Sequence, residues 1–114
     1  MQFFRGDTFE FDFSSSLADG EAYVFQEGDI LKVGVKEKLN ASRYLLFKEI
    51  EIEGQTELVT ISFTAEETRK CKVGKKILEV ELTDNSGRVR TLYQDNVTIK
   101  EDLINEWYNK QNNS

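Results

Sequence analysis

The chain has 114 residues, which fits one domain able to bury a core without covalent staples. Its 39% hydrophobic and 32% charged composition is that of a folded domain with a solvated surface, and it excludes a disordered chain. A net charge of −6 opposes phosphate, so nucleic acid and anionic membrane surfaces are excluded as partners, and a single cysteine excludes an intrachain disulfide.

The chain opens on Met1-Gln2-Phe3-Phe4, which lacks the apolar run of a signal peptide. No later stretch approaches the roughly 20 apolar residues of a membrane span, so no membrane insertion is expected. Arg5-Gly6-Asp7 spells a tripeptide that some cell-surface receptors recognise when it sits exposed at a loop tip. Here it precedes the first clear strand, so a local turn around Gly6 is the stronger reading.

Phe9, Phe11 and Phe13 then alternate with Glu10 and Asp12, which puts three rings on one side of a strand. The same alternation recurs at Leu31, Val33 and Val35, at Ile50 and Ile52, at Val59, Ile61 and Phe63, and at Leu78, Val80 and Leu82. Turn residues separate these runs: Asp19-Gly20, Glu27-Gly28-Asp29, Asn40-Ala41-Ser42 and Glu53-Gly54. Asp84-Asn85-Ser86-Gly87 is the most specific of them. It predicts a type I turn closed by a left-handed Gly, joining 77–83 to 88–93 as a hairpin.

Two helices are expected. Thr64-Ala65-Glu66-Glu67 reads as a capping box that opens about two turns ending before Gly74. Residues 101–110 form the second, with Leu103, Ile104, Trp107 and Tyr108 within roughly 140° of one another on a helical wheel. That face either covers one end of the domain or docks on a partner, and these four residues are the candidate protein-binding site.

The remaining chemistry is sparse. Arg69, Lys70, Lys72, Lys75 and Lys76 surround a turn and read as a solvated basic cluster, with Cys71 among them as a structural cysteine. Histidine is absent, so no thiol–imidazole pair can form. Asp84, Asn85 and Asp95 do not follow a calcium-loop pattern, and Glu49, Glu51 and Glu53 read as a solvated strand face. Two glycosylation sequons, Asn40-Ala41-Ser42 and Asn96-Val97-Thr98, have no secretory route to support them. No phosphate loop, nucleophile elbow or metal-ligand spacing occurs. The expectation is a protein that is not an enzyme, with no catalytic, cofactor-binding or metal-binding residues.

Taken in order, several segments carry a family pattern. They are Arg5-Gly6-Asp7-Thr8 with the phenylalanines, Glu27-Gly28-Asp29 leading into Leu31–Lys36 strand residues, and Ile61-Ser62-Phe63 before the short helix. Val73-Gly74-Lys75-Lys76-Ile77-Leu78, Asn85-Ser86-Gly87 and Val97-Thr98-Ile99 complete it. The chain thereby resembles small tail-associated proteins of phages and prophages of Gram-positive bacteria, in particular the N-terminal domain of the baseplate upper protein. The resemblance implies an immunoglobulin-like antiparallel β-sandwich of about seven strands, here with a short C-terminal α-helix. It also implies a structural role, with other phage structural proteins or the chain itself as partner, in the host cytoplasm during assembly and then in the virion.

The expected domain spans 1–99, with 100–114 as a helix and polar tail of the same unit. Two other functions fit such an architecture. A carbohydrate-binding or adhesion module would need Tyr23, Tyr44, Tyr93 and Trp107 exposed in one plane, and a small hydrolase would need carboxylates converging in a cleft.

Overall fold

The structure, a computed structural model, describes residues 1–102. The expected helix over 101–110, and with it Leu103, Ile104, Trp107 and Tyr108, lies outside the described residues beyond Asp102.

The alternating segments become strands. In chain order the elements are β1 (Gln2–Phe4), β2 (Phe9–Phe13), β3 (Ile30–Lys36), β4 (Leu46–Glu51), β5 (Val59–Phe63), α1 (Ala65–Arg69), β6 (Gly74–Thr83) and β7 (Val89–Lys100). The chain is mainly β, with seven strands in two sheets. The larger sheet has the order β1-β7-β6-β3-β4 and is curled into a half-barrel; the smaller is the antiparallel pair β2-β5. Alternation puts Leu31, Val33 and Val35 of β3 and Leu78, Val80 and Leu82 of β6 on the inner face. They share one core with Phe9 and Phe13 of β2 and with Val59, Ile61 and Phe63 of β5.

One strand departs from the antiparallel expectation. β1 runs parallel to β7, with Phe3 opposite Ile99. Three residues with one buried side chain show no readable period, but the Phe3 ring stacks on Phe9 at 4.2 Å and anchors the strand. β7 is also longer than the sequence suggests. A register shift opposite Val80 and Glu81 absorbs one residue, and the strand then continues through polar Gln94, Asp95 and Asn96 to bury Val97 and Ile99.

The hairpin turn forms as expected, with Gly87 at φ 90°. Asp84 Oδ1 accepts from the backbone N–H groups of Ser86 and Arg88 and from the Ser86 hydroxyl. The capping box also forms: Thr64 Oγ1 accepts from Glu67 N at 3.1 Å, and Glu67 Oε1 accepts from Thr64 N at 3.0 Å. The helix is shorter than expected and ends at Arg69, with Lys70 as its C-cap.

Three buried or bridging polar groups tie these elements together. Asp29 is wholly buried. It accepts from the Tyr23 hydroxyl, Gln26 N and Asn85 N at 2.8–2.9 Å, which joins the β2–β3 loop to the β6–β7 turn. Lys48 of β4 reaches across to the carbonyl of Ser62 on β5 and lies 3.8 Å from Glu67. Lys76, expected on the solvated cluster, is instead 3% exposed and donates to both carboxylate oxygens of Glu37 at 2.7 and 2.8 Å. It takes an inward position of β6, two residues before Leu78, so strand alternation overrides its charge. Among the described residues no helix is long and apolar enough to cross a membrane.

Removing a buried acceptor leaves its donors unsatisfied. Asp29→Ala is expected to lower the unfolding free energy by about 3 kcal/mol in a urea titration, and Asp29→Asn by less, since one acceptor oxygen remains. A loss under about 1 kcal/mol would show that water takes over the carboxylate's bonds.

Candidate functional site

The Arg5-Gly6-Asp7 tripeptide, Cys71 and Asp84 are each engaged by the fold. Gly6 is buried, and its N–H donates to the Thr68 hydroxyl at 3.0 Å; that hydroxyl donates to Asp7 O at 2.7 Å. Arg5 lies 3.9 Å from Glu101. The Arg5-Gly6-Asp7 tripeptide is thus a turn strapped to α1, as its place before the first long strand suggests. Cys71 is 2% exposed, and burial pushes its thiol pKa up despite the opposing influence of nearby Lys76. Asp84, considered as a calcium ligand, spends its Oδ1 on its own turn. Among the described residues no three Cys, Asp or Glu side chains converge as a metal set.

The tyrosines that a flat sugar platform would need are dispersed. Tyr23 is half-buried at the loop end, bonded to Asp29 and beneath Arg90 at 5.5 Å. Tyr93 is half-buried and meets Phe13 edge to face at 6.4 Å. Among the described tyrosines only Tyr44 is exposed, on the outer face of the large sheet, where it pairs with Phe47 at 4.9 Å. Its ring lies on Gly34, where any Cβ would collide with it, and Lys36 sits 4.6 Å from the ring centre. Lys32, Glu79 and Glu81 line the shallow depression beside this pair.

The strand edges differ between the two sides of the molecule. On the β4–β5 side, Lys48 spans the gap between the sheets and occupies an outward carbonyl of β5. A charge pointing inward from an edge strand discourages further pairing. On the other side, among the described residues, β2 pairs only with β5, and β1 covers β7 only at Thr98–Lys100. Between these edges lies a groove lined by Met1, Phe11, Asp12, Phe13, Ser14 and Tyr93.

No family model, curated protein or solved structure matches the chain.

The groove is therefore judged on its own geometry. It brings together aromatic side chains and two backbone edges that no strand occupies among the described residues. Sequence reasoning found Phe11 and Phe13 as core residues but not the groove. Its far wall is Tyr93, and that placement depends on the register shift in β7. The difference between the two sides rests on the direction Lys48 takes, which alternation alone does not give.

Three carboxyls are held below their ordinary range: Glu37 by hydrogen bonding to Lys76, Glu67 by the Thr64 backbone N–H, and Asp84 by the Ser86 hydroxyl. Groups shifted this way add stability above their unfolded pKa and lose it as pH falls through the folded value. Asp7 has the opposite sign, raised chiefly by its hydrogen bond with Asp102, so acid relieves its penalty. With three groups against one, the melting temperature is expected to stay level near neutrality and fall once pH drops below the ordinary Glu value of 4.5. Glu37→Gln, which strands the Lys76 ammonium, should melt earlier than the parent at pH 7 and converge with it in acid. Parallel curves at every pH would exclude the pair as the source.

Proposed function

We propose that the chain is a non-catalytic structural module of a phage or prophage tail or baseplate, acting by protein–protein contact. The observation that carries the contact reading is the pair of edges, β2 and the 89–97 stretch of β7, that no strand occupies among the described residues and that flank a groove lined by Phe11, Phe13 and Tyr93 with Asp12 and Ser14. Such edges invite pairing, and β2 lacks an inward charge such as Lys48, which discourages pairing on the β4–β5 side. The viral setting is supported by the order of segments from Arg5-Gly6-Asp7-Thr8 to Val97-Thr98-Ile99.

An immunoglobulin-like reading of the fold is supported by strand order. β7, β6, β3 and β4 stand as the G, F, C and C′ strands of a variable-type sheet would, while β2 and β5 stand as B and E. Strands A and D of the four-stranded sheet have no counterpart beside β2 and β5 among the described residues, so the arrangement is a reduced one. Partners in this setting are other tail proteins or further copies of the chain, met in the host cytoplasm during assembly and retained in the virion.

Induction of a lysogen carrying the gene, followed by mass spectrometry of gradient-purified particles, tests the setting. The chain is expected in particles at copy numbers comparable with other tail proteins. Its absence from intact particles and from isolated tails would overturn the assignment.

A second reading, carbohydrate binding, draws on exposed Tyr44 and Phe47 beside Glu79 and Glu81, since a sugar stacks on an aromatic ring and bonds to carboxylates. On a glycan array this reading expects binding that Tyr44→Ala weakens at least tenfold. No glycan bound, or binding indifferent to Tyr44, would remove it.

A further inference from the structure

We infer that the groove between β2 and β7 accepts an extended strand of another protein, one in which apolar residues alternate with basic ones. The inference deepens the contact reading above and rests on it, but not on the viral setting.

The backbone sets the kind of occupant. Among the described residues β2 has strand bonds on the β5 side alone, through an unbroken five-residue register, and its inward side chains are Phe9, Phe11 and Phe13. It has no proline, bulge or inward charge to discourage addition, in contrast to the opposite side, where Lys48 intrudes. An added strand would bond to β2 and direct every second side chain onto Phe11, Met1 and Tyr93, of which Phe11 and Tyr93 are half-buried and Met1 is exposed.

Charge sets the remaining positions. On the outer face of β2, Glu10 and Asp12 are both exposed. Residues of an added strand that face outward would lie opposite these carboxylates, where Lys or Arg is favoured and an acid is penalised. The same argument disfavours a second copy. An antiparallel β2–β2 pair centred on Phe11 would place Glu10 against Asp12 twice, between chains that each carry a net charge of −6. The alternation also fixes register, because a slip by one residue would drive the basic side chains into the apolar groove.

The probe is an acetylated, amidated peptide KVKVKVK added to the isotope-labelled full chain, with EVEVEVE and KVKPKVK as controls. Amide exchange should slow on the free side of β2, the Tyr93 ring resonances should shift, and both controls should bind at least tenfold more weakly. The double variant Glu10→Lys, Asp12→Lys, at exposed positions and checked for an unchanged melt, should prefer EVEVEVE. No binding by KVKVKVK, equal binding by EVEVEVE, or perturbation confined to Tyr44 and Phe47 would overturn the inference. Particles that contain the chain with its β2 amides unprotected would also overturn it, while leaving the contact reading standing. Peptide recognition by a chain absent from particles would remove only the viral setting.

Discussion

A two-stranded ribbon is not stable by itself in water, so β2 and β5 exist as a sheet only because their apolar face lies on the larger one. That constraint organises much else. Phe9 at one end of the ribbon must meet a partner from the large sheet, and Phe3 supplies it by bringing β1 alongside β7. At the other end, Phe63 runs straight into the capped turn at Thr64, so α1 starts in contact with the ribbon and its buried Thr68 meets the turn between β1 and β2. The closeness of the sheets also brings Ser62 within reach of Lys48.

Within that frame, buried polar groups secure the loops. Asp29 and Asn85 are 56 residues apart in sequence, Lys76 and Glu37 are 39 apart, and Gly6 and Thr68 are 62 apart. No buried side-chain nitrogen or oxygen among the described residues lacks a partner. Each link therefore avoids the cost of burying an unsatisfied group while closing a long stretch of chain. The division of labour is clear: apolar alternation sets which faces meet, and these bonds set where the connections lie.

Much of the architecture was legible because alternation is a local signal. Phe9 to Phe13, Val59 to Phe63, the capping box at Thr64 and the Asp84–Gly87 turn each depend on neighbours a few residues away, and each formed as read. What escaped depends on distant partners. β1 is held by one ring, Lys76 is buried because Glu37 lies on a different strand's exit, and the length of β7 depends on a shift in its pairing with β6. The candidate surface shares that fate: Phe11 and Tyr93 become one groove only through tertiary placement, and the 103–108 face proposed from helical spacing falls outside the described residues.

The parallel pairing of β1 with β7 has a mechanical consequence. Tension applied between Met1 and Lys100 pulls the two strands in opposite directions along their length, because β1 is gripped at its start and β7 at its end. Every bond between Gln2–Phe4 and Thr98–Lys100 then bears load at once, in shear, instead of opening one after another like a zip. A strand of three residues thus serves as a clasp, giving way abruptly at a threshold force, with the stacked Phe3 and Phe9 rings resisting the slide.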